Sequence, residues 1–185
     1  KIKNKSANQL LSLFALLAPD NITMEMFKTI SLPQPLYGDL NNKLSLNRIT
    51  CDLTKYGLVK NNKNTFSIHR LLQEVIKNII QKEDIYYKCI LGIANKLCEL
   101  KEDSIESRKY FSSKSSHIII IAENLLSKEN LKIKAYKLFE EAANGFRIIG
   151  SYSDSLRLYE LSSNLRDISN NESLSLANTY IGIAL

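Results

Sequence analysis

The sequence predicts a mainly α-helical chain with one small β-hairpin closing its first part. Apolar residues recur at every third or fourth position along most of the 185 residues, the period of a helix with one buried face. It gives way to two short apolar runs at Leu58–Val59 and Phe66–Ile68, flanking Asn61-Asn62-Lys63-Asn64, which is the pattern of a hairpin with a polar turn. In the last third, small and aromatic residues return at fixed offsets, predicting paired repeat helices. Three regions follow: a domain over 1–83, a helical connector over 84–130, and repeats over 131–185.

The first helix is expected from Asn8 to Leu17, with Leu10, Leu13, Phe14 and Leu17 on one face and Pro19 as its stop. Ile22–Phe27 reads as a second short helix, capped by Thr23 and turning Met24 and Phe27 inward. Ser31–Gly38, with Pro33, Pro35 and Gly38, reads as a loop. A third helix is expected over Leu44–Tyr56, since Leu46, Ile49, Leu53 and Tyr56 repeat at three and four, with Gly57 as its left-handed C-cap. After the hairpin, the period changes at His69-Arg70. Leu71, Leu72, Val75, Ile76, Ile79 and Ile80 then share one helical stripe. Three helices, a hairpin and a closing helix make the order of a winged-helix domain.

Beyond Gln81–Asp84 the chain reads as wholly helical. Ile85, Cys89, Ile93 and Leu97 repeat in fours, predicting a helix over about Asp84–Lys101. Glu102–Ser107 reads as a connection, Arg108–Phe111 as a helical turn, and Ser115–Leu126 as a helix begun by a capping serine. On that reading His117 is a structural residue at the helix start. From Leu131 onward, Ala143, Phe146, Gly150, Tyr152, Ser155 and Tyr159 have the spacing of a tetratricopeptide repeat. Its helices are expected over Leu131–Phe146 and from Ser151, the second presenting Leu156, Tyr159 and Leu165. Ser155 and Ser162 stand where such repeats usually carry alanine. Leu176–Ala184 looks like the first helix of the next repeat. A lone repeat helix cannot bury its apolar face, so further repeats are expected beyond Leu185.

Composition excludes several classes. Three cysteines, Cys51, Cys89 and Cys98, are too few and too far apart for a zinc site, and their odd number argues against a disulfide framework. A reducing, cytoplasmic setting is expected. The net charge of +6 is spread out: 12 Lys+Arg against 7 Asp+Glu in residues 1–85, 9 against 6 in 86–135, and 4 against 6 in 136–185. No apolar run reaches the roughly 18–20 residues of a membrane span. Basic residues before Leu10–Ala18 imitate a signal peptide, but the chain begins with Lys and the same apolar residues serve a core helix.

No constellation for catalysis is visible. The two histidines, His69 and His117, stand far apart without a nucleophile. None of the six glycines is followed by Lys, so the phosphate-cradling loop of a P-loop enzyme is missing from the sequence. No catalytic residue, metal ligand or cofactor is therefore assigned to this segment, and intrinsic ATP hydrolysis is not expected.

Leu53-Thr54-Lys55-Tyr56-Gly57-Leu58-Val59, followed by Phe66-Ser67-Ile68-His69-Arg70-Leu71-Leu72-Gln73-Glu74-Val75, resembles the winged-helix part of NB-ARC-type signalling ATPases. The likeness is nearest to the bacterial members that carry tetratricopeptide repeats. Leu10–Ile22 fits the same domain. The likeness covers roughly the first 80 residues, and its most specific piece is Ile68–Gln73. It implies that His69 occupies the place of the Met-His-Asp histidine, which contacts the phosphate of bound ADP. Ile68 and Arg70 stand where the motif has Met and Asp. On this reading the chain is a non-catalytic regulatory segment of a larger signalling NTPase, with ADP or ATP held by the full-length protein. Its winged helix would pack on an upstream nucleotide-binding domain in cis, and its repeats would bind a protein or peptide. The alternative is a DNA-binding winged-helix regulator with a helical sensor domain. Its groove-reading helix, Leu44–Lys55, offers only Arg48 and Lys55 against Asp52, where phosphate neutralisation usually takes several cations.

Overall fold

The computed structural model describes residues 3–28, 30–55, 57–98 and 104–166. These residues are mainly helical, with one two-stranded antiparallel sheet. The order is α1 (Lys5–Ala15), a 3-10 turn (Met24–Phe27), α2 (Leu36–Leu40), α3 (Lys43–Lys55), β1 (Val59–Asn62), β2 (Thr65–Ile68), α4 (Arg70–Ile80), α5 (Asp84–Cys98), α6 (Ile105–Leu125), α7 (Glu129–Ile148) and α8 (Tyr152–Arg166). Contacts divide the chain into two compact units, residues 1–93 and 94–185, with the boundary inside α5.

In the first unit α1 is the central element. It starts earlier than its apolar residues suggest because Asn4 caps it, accepting the Ala7 N–H at 3.2 Å. Ala7, Leu10, Leu13, Phe14 and Ala15 are fully buried. Phe14 meets the rings of Phe27 and Phe66 at 5.7 and 5.6 Å between centroids. Polar residues on the same helix are buried as well, and each has a partner. Ser6 donates to Asp39, and Ser12 donates to the Asn8 carbonyl at 3.0 Å. Gln9 donates to the Gln34 carbonyl at 3.0 Å and accepts from the Leu36 N–H at 3.2 Å.

That Gln9 clamp explains the first departure from expectation. Ser31–Gly38 does not remain a loop to its end, because Leu36–Leu40 forms the short helix α2. The Gln9 amide anchors its start, Pro35 is tolerated at a helix entrance, and Leu36 is fully buried. A second departure lies in the 3-10 turn. Met26 and Phe27 enter the core while Met24 stays half-exposed, although the three-residue turn stacks it over Phe27. Thr23 has the extended backbone of an N-cap but makes no side-chain capping bond.

The hairpin pairs Val59 with Ile68, Lys60 with Ser67, Asn61 with Phe66 and Asn62 with Thr65. The ladder therefore consumes two of the expected turn residues, leaving Lys63-Asn64 as the turn, with Lys63 at φ +61°. Outside β2, Ile22 adds a single bridge: the Phe66 N–H donates to the Ile22 carbonyl at 2.7 Å, and the Ile22 N–H returns to Phe66 at 3.1 Å. Gly57, at φ +66°, follows α3 as a left-handed residue; Tyr56, expected on that helix's core face, lies outside the described residues.

In the second unit the serine-rich stretch 112–116 does not break the chain. Ile105–Leu125 is one 21-residue helix, capped at Ser104, whose side chain accepts from the Ser107 N–H at 3.1 Å. His117 accordingly sits inside α6, fully buried, and does not open a helix. Phe111 and Ile118, seven residues or two turns apart, bracket the serines on one face, Ile121, Ala122 and Leu125 continue it at three and four, and burial of that face outweighs the serines' preference for turns. α7 and α8 form a tight pair around Gly150 at φ +81°. The Ser151 N–H reaches back to Phe146 at 2.9 Å and the Gly150 N–H to Arg147 at 3.1 Å, the two bonds of a Schellman C-cap. Tyr159 and Leu158 are buried on α8, whereas Leu156, expected inward, is 41% exposed. The expected connection Glu102–Ser107 is shorter than predicted, since Ser104 already caps α6 and Ile105–Ser107 form its first turn; Glu102 and Asp103, the repeat expected over Leu176–Ala184, and the side chain of Leu165 lie outside what the structure describes.

Candidate functional site

The residue singled out by the sequence, His69, sits at a junction fixed from both sides. Strand β2 ends at Ile68, buried, with its N–H donating to the Pro19 carbonyl at 2.8 Å. His69 itself is extended, at φ −69° and ψ 132°, and Arg70 begins α4. The His69 Nδ1 accepts the Leu71 N–H at 3.2 Å, so this imidazole caps the helix that follows it. A nitrogen accepting in this way leaves the other, Nε2, as the proton carrier of the neutral ring. The ring is exposed. Its free edge therefore offers one outward N–H donor, beside a helix start whose dipole favours anions.

Four residues on, Gln73 performs a different task. It is 5% exposed, and its Nε2 donates to the Phe14 carbonyl at 3.1 Å and the Leu17 carbonyl at 2.9 Å. The Phe14 carbonyl lies in the last turn of α1, where it also accepts the Leu17 N–H at 3.3 Å, and the Leu17 carbonyl lies just beyond the helix end, where backbone acceptors run short of helical donors. One side-chain amide thus closes α1 and holds α4 against it. In Ile68–Gln73, then, the first residue fills the core, His69 caps α4, and Gln73 caps α1.

The stripe on α4 is divided. Ile76 and Ile80 are buried at 8% and 3%, but Leu71, Val75 and Ile79 are 72%, 57% and 70% exposed. Their spacing of four lays them in a row that begins two residues after His69. Sequence reasoning placed all six aliphatic residues on one stripe and missed that it is too wide for one core. Six aliphatic residues in an eleven-residue helix of about three turns stand at the upper end of the three or four per two turns that a single buried face takes, so the count alone does not reveal the division.

Of the three cysteines, Cys89 is buried and Cys98 half-buried. Burial pushes the Cys89 thiol up to about 11, with its Sγ donating to the Ser31 carbonyl at 3.2 Å. Burial, reinforced by the Glu141 carboxylate, pushes Cys98 up to about 12. Both thiols stay protonated near neutrality, and it is the thiolate that acts as nucleophile or metal ligand. Among the described residues, no three His, Cys, Asp or Glu side chains gather as a metal site. No helix among them is long and apolar enough to cross a membrane.

Residues 1–85 match the family described as a domain of unknown function (DUF7779). The match runs from α1 to the start of α5 and takes in His69, Gln73 and the exposed row on α4. Neither a curated protein nor a solved structure matches the chain.

In the second unit, the serines that depart from the repeat pattern have a defined role. Ser155 Oγ donates to the Ala143 carbonyl and Ser162 Oγ to the Tyr136 carbonyl, each at 2.8 Å. They remain small enough for α7 and α8 to approach closely, and each adds a hydrogen bond that alanine lacks. Tyr159 donates to Asn144 Oδ1 at 2.6 Å, fixing the same pair lower down. Ile148, Tyr152 and Leu156 are left 55%, 65% and 41% exposed at the end of α7 and along α8.

Proposed function

We propose that this chain is a non-catalytic regulatory and protein-interaction segment of a larger signalling NTPase. Residues 1–83 act as a winged-helix domain that packs on a nucleotide-binding domain of the same protein, and the helices of the second unit act as tetratricopeptide-like repeats that bind a protein. The order helix, bridge at Ile22, short helices, α3, hairpin is compatible with a winged helix. The observation that carries the reading is the exposed row Leu71, Val75, Ile79 next to the outward edge of His69. Fully burying one such side chain is worth about 1.5–3 kcal/mol, so covering what is exposed on all three gains on the order of 3–6 kcal/mol. A free partner loses about 4–15 kcal/mol of association freedom, which this row alone does not offset. A domain on the same chain meets it at a high effective concentration, so a partner in cis suits the row.

The test uses the full natural reading frame. We expect it to encode a GxxxxGK[ST] loop ahead of this segment, and the purified protein to retain ADP that His69→Ala releases. Absence of that loop, or ADP retained equally by both proteins, overturns the reading.

A further inference from the structure

We propose that the first unit carries a second, independent site: a groove beside α3 that takes a short acidic peptide containing a bulky apolar residue. Two adjoining hollows form it. One, of about 580 Å³, lies among the 3-10 turn, α2 and α3, with Phe27 and Ile30 as its buried floor and Tyr37 and Leu40 as its walls. The other, of about 560 Å³, lies between α3 and the hairpin, lined by Asn47 and Thr50 on one side and Asn61, Lys63 and Asn64 on the other. Met24 and Leu46 line both hollows, so the two meet along one wall.

The halves suit different parts of one ligand. The first is apolar and large enough for an aromatic or branched aliphatic side chain, since small-molecule-sized pockets span roughly 300–1,000 Å³. The second offers side-chain amides from Asn47, Asn61 and Asn64, which make no side-chain hydrogen bond among the described residues. Each amide carries both an acceptor and donors, matching the alternating N–H and C=O of an extended main chain. A fatty acid or other apolar acid would fill the first hollow and leave the amide row unused.

Charge decides the peptide's sign. Among the described residues lining the groove are two cations, Lys28 and Lys63, and one carboxylate, Glu25, with Lys28 and Glu25 each already engaged in an interaction. Arg48 and Lys60 stand exposed on the neighbouring α3 and β1. Acidic residues flanking the apolar anchor are therefore favoured. Duplex DNA would meet the same cations, but it has nothing to place in a hollow floored by Phe27 and Ile30.

The chain contains two methionines, and they form a built-in test. Met24 is on the shared wall, whereas Met26 is 2% exposed in the core. With methyl-13C methionine in the 185-residue chain, the peptide Ac-Glu-Glu-Leu-Phe-Asp-Glu-NH2 is titrated and the two methyl signals are followed, Met24→Leu providing the assignment. We expect the Met24 signal to move saturably and the Met26 signal to stay. Changing the peptide's acidic residues to lysine, or Asn47→Ala with Asn61→Ala in the protein, should weaken binding roughly tenfold, about 1.4 kcal/mol. An unmoved Met24 at millimolar peptide overturns the proposal. So does an equal response to decanoate, which would mark an apolar-acid pocket, or tighter binding of a short mixed-sequence duplex, which would mark a nucleic-acid face. The Met26 signal reports whether each variant remains folded, and none of these outcomes depends on a nucleotide-binding domain.

Discussion

Helices α1 and α4 are both eleven residues long and touch each other through Gln73, yet they use their apolar residues in opposite ways. α1 buries nine of its residues, including three polar ones, Ser6, Gln9 and Ser12. α4 buries only Gln73, Ile76 and Ile80, and leaves three large aliphatic side chains in water. Burial here follows position in the fold more than side-chain type. α1 is surrounded by the 3-10 turn, α2, α3 and α4, so even its polar residues must find partners inside. α4 covers one side of α1 and keeps its other side bare, which a folded unit does not require and a docking surface does.

The sharpest way to break this comparison is to truncate the centre of the buried helix. Phe14 is fully buried and packs on Phe27 and Phe66. Phe14→Ala should cost about 3–5 kcal/mol, read as a drop in the urea midpoint at constant slope. A loss below about 0.5 kcal/mol, the size of a typical surface effect, would mean that α1 is not the centre of the unit.

The link between the helices should matter less, but still measurably. Gln73→Leu keeps the volume and removes the donors, depriving the Leu17 carbonyl of the amide and leaving the Phe14 carbonyl with the Leu17 N–H at 3.3 Å. A buried acceptor left in this way costs about 1–3 kcal/mol. Gln73→Glu should cost at least as much, since it sets a carboxylate against two carbonyl oxygens. If Gln73→Leu were as stable as the wild type, the amide would be dispensable and the two helices would be held by apolar packing alone.

What the sequence revealed and what it hid have separate physical causes. Helices with a sustained apolar period were legible, as were the hairpin, the left-handed Gly57 and the start of α4 at His69, because each rests on a local pattern. Elements that depend on distant partners were not. α2 needs the Gln9 amide from α1, and the 21-residue α6 needs neighbours that bury His117 and the Ile118–Ala122 stretch. The junction histidine stood out from its neighbours in sequence, but its capping bond is a matter of ring orientation. Gln73 belongs to the run that carried the family likeness, yet nothing local says that its amide points at α1 and not at solvent. The split of the α4 stripe is a property of the whole unit: periodicity shows that six aliphatic residues share a face and cannot show where the core ends.

The smallest effect on stability is expected where the comparison is most informative. Leu71→Ser, Val75→Ser and Ile79→Ser together remove most of the bare apolar face of α4. Each lies at an exposed helix position, where substitutions usually change stability by no more than about 0.5 kcal/mol. The melting transition of the isolated chain should therefore stay close to that of the wild type, and its solubility should rise as the apolar row disappears. In the full-length protein the same triple variant should instead detach this segment from the domain that covers it, seen as new protease cleavage near Lys82 and as loss of retained ADP. Because the isolated chain and the full-length protein carry the same substitutions, the two measurements separate a core role from a docking role. A large loss of stability in the isolated chain would make the row part of the core after all. An unchanged chain together with an unchanged full-length protein would leave α4 bare for some purpose other than packing in cis, and would withdraw the main support for the NTPase reading.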